Sequence, residues 1–218
     1  MRLLGITDLH GQQEMLEQIL RHAGAADVIL LGGDLTNFGT SLIAVKMVEM
    51  AQATGARVFA VAGNCDSPEI DSSLRRLGVS LFHQGVIHEG VGFLGVSAMP
   101  PWHGTMYELS EEEIAQSLQD GYEQVQEASM QIVLAHPPPY DTPLDLTARG
   151  EHVGSRALRQ FIDQHQPALV VCGHIHEARG TARLGQTVVV NCGSAMDGRY
   201  AQIDLEPDGQ VEVQLRRI

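Results

Sequence analysis

The sequence predicts an α/β fold on two β-sheets, and three observations carry that expectation. Through residue 78, apolar segments of strand length alternate with segments of helical period. That β-α-β-α-β-α order belongs to a sheet that is parallel at least in part. From residue 178 onward the chain instead breaks into Gly-punctuated runs of Val, Ile and Leu, which read as four short, largely antiparallel strands. No internal repeat, low-complexity tract or linker interrupts the 218 residues, so the whole chain, 1–218, reads as one domain with ample length for a core.

The elements follow in order. "RLLGIT" (2–7) reads as the first strand rather than a secretory signal, because its apolar patch is very short and runs into Asp8. "QQEMLEQILRHA" (12–23) sets Met15, Leu16, Ile19 and Leu20 at helical spacing. "DVILLG" (27–32) is a short apolar strand of the kind covered on both faces. "SLIAVKMVEMAQATG" (41–55) is a helix with Gly55 as its stop. "RVFAVAG" (57–63) is a third strand, and "PEIDSSLRRLG" (68–78) a third helix. "GVIHEGVGFLGVSA" (85–98) reads as two short strands about a Gly-containing turn. "SEEEIAQSLQDGYEQVQEA" (110–128) opens with Ser110 and Glu113 at capping-box spacing. "QIVLAH" (131–136) is a strand cut off by three prolines. "SRALRQFIDQHQ" (155–166) is helical, and "ALVVCGHIHE" (168–177) is a strand running into a polar knot.

Composition excludes some function classes. The formal net charge is −13, and a surface this acidic repels nucleic acid backbones and anionic lipid. No apolar run reaches the roughly 18–20 residues of a membrane span. The three cysteines, Cys65, Cys172 and Cys192, form no CxxC, which points to reduced thiols in a cytoplasmic protein.

The strand ends carry the chemistry. They read "TDLHG", "GGDLTN", "GNCD", His136 and "GHIHE". Ligands gather beyond the carboxyl ends of strands in α/β sheets, so one edge would collect Asp8, His10, Asp34, Asn64, His136, His174 and His176. Imidazole and carboxylate together suit Zn, Mn, Fe or Ni. Seven donors exceed the needs of one ion and suit two ions sharing a carboxylate. Asp8/His10 and His174/His176 are each separated by one residue, so each pair faces one way if the backbone is extended. Glycines precede Asp34, Asn64 and His174, where they would let the chain turn sharply.

The series D-x-H, G-D, G-N-C-D, a lone His and G-H-x-H resembles the signature of calcineurin-like metallophosphoesterases, from Asp8 to His176, with "NCGS" (191–194) similar to the N-P-G-S of many small bacterial members. The resemblance implies a four-layer αββα sandwich, two mixed sheets flanked by helices. It implies phosphoester hydrolysis at two divalent transition-metal ions, by attack of a hydroxide held between them. Asp8, His10 and His176 would hold one ion and Asn64, His136 and His174 the other, with Asp34 bridging. Most members have His where this chain has Cys65, paired with the acidic residue that follows, here Asp66, as the general acid. A thiol is a weak donor, so the expected substrates are small phosphodiesters whose leaving groups need little protonation. His103 in "PPWHG" is a second candidate for the acid, and Arg149 or His152 could meet substrate. His22, His83, His88 and His165 read as structural, Cys172 as buried and inert, and Gly154–Ser155 as a helix cap. The rival readings are a binding or scaffold protein on the same fold, as a retromer subunit is, a phosphomonoesterase, or a nuclease. The substrate, the metals and the oligomeric state are left open.

Overall fold

The computed structural model describes residues 1–206 and 209–218 and is built from two mixed sheets, each backed by helices. β1 (Arg2–Ile6), α1 (Gln13–Ala23), β2 (Val28–Gly32), α2 (Ser41–Gln52), β3 (Arg57–Val61) and α3 (Pro68–Arg76) realise the predicted alternation. β4 (Gly85–His88) and β5 (Val91–Val96) are antiparallel across a two-residue turn, with Glu89 and Gly90 at φ +51° and +82°. Both central residues of such a tight hairpin need positive φ. α4 (Glu111–Val125), β6 (Met130–Ala135), α5 (Arg156–His165) and β7 (Leu169–Cys172) follow. β8 (Gly180–Leu184), β9 (Thr187–Asn191), β10 (Arg199–Leu205) and β11 (Val211–Arg217) are the four expected late strands.

These last four divide between the sheets. The first sheet has the order β11-β10-β1-β2-β3 and the second β4-β5-β6-β7-β9-β8. β1, β2 and β3 are parallel, as are β5, β6, β7 and β9, and the outer strands run antiparallel.

Strand alternation sorts side chains into layers. Leu4, Ile6, Ile29, Leu31, Val58 and Ala60 pack against α1, α2 and α3. Leu3, Val28, Leu30, Phe59 and Val61 instead meet Ile132, Leu134, Leu169 and Val171 of the second sheet. Leu94, Val96, Val133 and Val170 pack under Ile114, Leu118, Leu158 and Phe161 of α4 and α5. Each fully buried Leu, Val or Phe contributes roughly 1.5–3 kcal/mol. The outcome is the four-layer αββα sandwich.

Helix ends follow their local chemistry. Ser110 and Glu113 form the predicted capping box, and Ser155 accepts from the Leu158 amide as the N-cap of α5. α2 stops at Gln52, earlier than Gly55, which takes φ +88° in the turn beyond. Among the described residues no helix is long and apolar enough to cross a membrane.

Candidate metal centre

The parallel strands of both sheets deliver their polar ends to one edge, and backbone bonds tie those ends together. The Asp8 amide donates to the Gly33 carbonyl (3.0 Å) and the His10 amide to the Asp34 carbonyl (2.8 Å), joining the β1 and β2 loops. The Cys65 amide donates to Asp34 Oδ1 (2.7 Å), which brings in the loop after β3. The Gly173 amide donates to the His136 carbonyl (3.1 Å). The His174 amide then crosses to the first sheet and donates to both Asp8 oxygens at 3.2 and 3.1 Å.

Two steps of the sequence reading need correction. The Asp8/His10 pair is not extended: φ is +60° at Asp8 and +46° at His10. Asp34 and His174 also take left-handed values, +48° and +67°. A non-glycine residue there costs about 1–3 kcal/mol and persists where surrounding bonds hold it, commonly at functional sites. Nor do all three glycines serve turning. Gly33 does, at φ +87°, but Gly63 and Gly173 lie outside the left-handed region. A Cβ at Gly63 would collide with Asp34, and one at Gly173 with Asp8. Their role is close approach of carboxylate to backbone.

The side chains converge. His176 Nε2 lies 3.3 Å from Asp8 Oδ1, His10 Nε2 3.7 Å from Asp34 Oδ2, and His136 Nε2 3.5 Å from Asp34 Oδ1. Donor atoms of Asp8/His10/His176, of His10/Asp34/Cys65 and of Asp8/Asp34/His136 each lie within 4.8 Å of one another. Asp8, His10 and Asp34 each belong to two of these sets, so the three sets form one connected cluster. His174 belongs to none of them, and its ring packs beside His136 with centroids 5.0 Å apart.

Two details show that this donor set fits cations. His10 Nε2 is buried and has no hydrogen-bond partner. His136 Nδ1 donates to the Gly32 carbonyl at 3.0 Å, so in the neutral ring Nε2 carries a lone pair. That lone pair faces Asn64 Oδ1 at 2.9 Å. Two acceptors aimed at each other call for a shared proton or cation.

The electrostatics agree. Burial pushes the Asp8 carboxyl up, but the His176 hydrogen bond and the charges of His136 and His176 hold it below its ordinary range. Burial opposes charge on His136, yet Asp34 and Asp8 hold it above the usual imidazole value. His176 is raised by its bond to Asp8. Burial and the neighbouring His136 push His174 down to about 3, leaving a neutral ring.

The proposed acid residues are placed less uniformly. Cys65 lies against the centre, with Sγ accepting from Asn64 Nδ2 at 3.4 Å. Burial and then the charge of Asp34 raise its pKa, so the thiol stays protonated. Asp66 does not pair with it. The Asp66 carboxylate accepts from the Leu35, Thr36 and Gly63 amides and from Thr36 Oγ1, at 2.8–3.0 Å, clasping the β2 and β3 loops. His103 is exposed, stacks near Trp102 and has no contact with the seven donors. Its loop does reach them, because Asn64 Nδ2 donates to Met106 Sδ (3.2 Å) and the Tyr107 amide to the Asn64 carbonyl (3.1 Å). Arg149 is exposed, while His152 bonds Asp145 within its own loop. His83 pairs with Asp120, and His22, His88 and His165 pack against Tyr200, Phe59 and Phe161. Cys172 is fully buried.

The sequence reading missed Cys65 as a metal-reaching thiol, although it adjoins Asn64, and missed Met106, which carries no local signal. It also left "NCGS" without a task. The Met196 amide beyond it donates to the Asp8 carbonyl, Ser194 Oγ reaches the same carbonyl, and Thr7 Oγ1 donates to the Gly193 carbonyl. This segment forms the floor under Asp8.

Comparison with known proteins places this geometry. Residues 1–178 match the sequence pattern of the calcineurin-like phosphoesterases. A Methanocaldococcus jannaschii protein, MJ1162, is 31% identical over 198 residues, covering 88% of this chain and 87% of its own. A UPF0046 protein of Caenorhabditis elegans is 26% identical over 222 residues, covering 93% of this chain and 72% of its own. Among solved structures, TT1561 of Thermus thermophilus superposes with a TM-score of 0.77 at 20% identity, covering 98% of this chain and 97% of that one, which is a likeness of fold. Proteins of the matched family bind two divalent metal ions and hydrolyse phosphoesters, and the chain belongs to that family, the calcineurin-like phosphoesterases.

Proposed function

We propose that Asp8, His10 and His176 hold one divalent transition-metal ion, that Asn64, His136 and His174 hold a second, and that Asp34 lies between them in a centre that hydrolyses small phosphodiesters. The observation that carries this reading is the unpartnered, buried His10 Nε2 beside Asp34. Manganese, iron, zinc and nickel all suit the nitrogen and oxygen set. When bound, a pair of such ions lowers the pKa of water and offsets charge on the phosphoryl oxygens.

The chain's own residues do the rest. The His174 amide and the Cys65 amide fix the orientation of the Asp8 and Asp34 carboxylates. The Gly32 carbonyl fixes the His136 ring, and Asp66 locks two of the ligand loops in register. Cys65 offers the leaving alkoxide only a weak donor, which favours diesters with good leaving groups. His103 reaches substrate only by movement of the 101–106 segment. The three cysteines are free, which supports a reducing, cytoplasmic setting, and the acidic charge speaks against nucleic acid as substrate. β1 lies between β2 and β10, so both ends of the chain share one sheet, which supports a single domain.

Metal-stripped protein reconstituted with each metal, assayed on p-nitrophenyl phosphate and bis(p-nitrophenyl) phosphate, tests the reading. The diester should have the higher kcat/KM, and Asp34→Ala should lose both bound metal and activity. A preference for the monoester removes the diester assignment. Protein that neither retains metal nor hydrolyses either ester is a scaffold.

A further inference from the structure

The edge that carries the metal donors also gathers positive charge. Arg199 opens β10 and Arg217 closes β11, and the two are register partners, so their side chains leave the same face of the first sheet. Along these strands that face carries Ala201, Ile203 and Leu215 toward the second sheet. Arg179, just ahead of β8, arrives from the second sheet. Its Nε donates to the Cys192 carbonyl (3.1 Å) and its Nη2 to the Arg216 carbonyl (2.8 Å). Arg217 Nε donates to the Asp197 carbonyl (3.1 Å), and Arg199 Nη1 to the carbonyl of His176 (3.3 Å).

These bonds orient three guanidinium groups without neutralising them. Asp197, 4.0 Å from Arg199, is the one carboxylate within ion-pair reach of any of the three among the described residues. Burial, then the charges of Arg199 and Arg217, hold Arg179 below its usual range, a sign that the three feel one another. The chain has 27 acidic and 14 basic residues, so acidic partners are plentiful elsewhere. Like charges gathered at one mouth destabilise the free protein and become favourable once an anion is held there. The planar fork of arginine matches phosphate oxygens, and its unused N–H groups stay available beside His176.

We infer that Arg179, Arg199 and Arg217 form a second anion subsite, which holds a phosphate on the part of the substrate remote from the phosphoryl group that is cleaved. The inference rests on the phosphoesterase reading and sharpens it: the substrate class is a phosphoester with a second phosphate.

The test uses two p-nitrophenyl alkyl phosphates that differ only in a phosphonate at the end of the alkyl arm. Wild-type enzyme should prefer the phosphonate ester about tenfold in kcat/KM, chiefly through KM. Arg199→Gln and Arg217→Gln should each collapse that preference about tenfold, and Arg199→Lys should restore part of it. In parallel, calorimetric titration with inorganic pyrophosphate in excess EDTA reads the subsite without metal, and its affinity should fall about tenfold in the same variants. Thermal melts verify that each variant is folded. Preference absent in wild type, or intact in both Gln variants, overturns the inference. Loss of pyrophosphate binding with no ester preference makes the cluster a site for a free anion and also overturns it. If neither ester is hydrolysed but the variants lose pyrophosphate, the anion subsite stands and the phosphoesterase reading fails.

Discussion

The two sheets give the candidate metal centre different atoms and hold them by each other's groups. The first sheet supplies the oxygen donors Asp8, Asp34 and Asn64 together with His10. The second supplies imidazoles alone, His136, His174 and His176. Asp8, from the first, is gripped by the His174 amide of the second, while His136, from the second, is set by the Gly32 carbonyl of the first. The oxygen side carries fixed negative charge, and the nitrogen side adjusts to it, with His136 and His176 both held above the ordinary imidazole value. The candidate centre is therefore a joint between sheets, where a cation would satisfy both sides at once.

The strongest way to break this picture is to weaken one side at a time. Asp34 is shared by both ions in the proposal and is almost fully buried. Asp34→Ala should cut kcat/KM about 1,000-fold or more and halve the bound metal at least. His176 is partly exposed and serves one ion in the proposal, so His176→Ala should cost about 100-fold and leave the other ion in place. Metal analysis and steady-state kinetics on both variants decide it. Equal losses would mean that the two sides are not distinct.

A second carboxyl joins the same two halves without imidazoles and serves as a contrast. Asp71, on α3, accepts from Ser97 Oγ (2.8 Å) and Tyr107 Oη (2.8 Å), both from the segment after β5. Burial raises its pKa to about 6, against the two hydrogen bonds that lower it. Its folded pKa exceeds its unfolded one, so its contribution to stability is full below pH ~4 and is lost as pH rises through about 6. The loss amounts to about 3 kcal/mol, and Asp71→Asn should abolish it. Urea unfolding of both proteins in EDTA at pH 4 and pH 7 measures the difference. A slope that survives in the variant would assign it to other groups.

Metal removal comes next in size. Ions held at about a hundredfold over their dissociation constant stabilise by roughly 2.7 kcal/mol. For a chain of this length that is about 5–10 °C in Tm. A chelator should produce this drop in wild type and at most half of it in Asp34→Ala, as calorimetric scans will show. An equal drop in both would place the stabilising metal elsewhere.

What the sequence made legible follows from range. Apolar strands ending in Asp, Asn and His are local signals, and their order along the chain points to the seven candidate donors that the fold brings to one edge. The capping box at Ser110 and the cap at Ser155 are equally local. Backbone hand at Asp8, His10, Asp34 and His174 was not legible, because bonds between distant loops impose it. The same holds for the close approach at Gly63 and Gly173, for the turn of Asp66 toward Leu35 and Thr36, and for the division of β8 to β11 between two sheets. The arginines at 179, 199 and 217 converge only once that division is known.

The smallest effect concerns residue 65, on the oxygen side of the candidate centre, where the proposal sets the leaving group. Cys65 is nearly buried, its amide is committed to Asp34, and its thiol stays protonated next to that carboxylate. An imidazole in its place could donate a proton that the thiol donates poorly. Cys65→His should therefore raise kcat about tenfold on alkyl diesters, whose departing alkoxide needs the proton, and leave p-nitrophenyl diesters unchanged. A series of diesters with graded leaving groups shows whether the gain grows as the leaving group worsens. A flat response would make Cys65 a filler of the space beside Asn64. A fall across the whole series accompanied by lost metal would instead make its sulfur a ligand, in keeping with its reach toward His10 and Asp34.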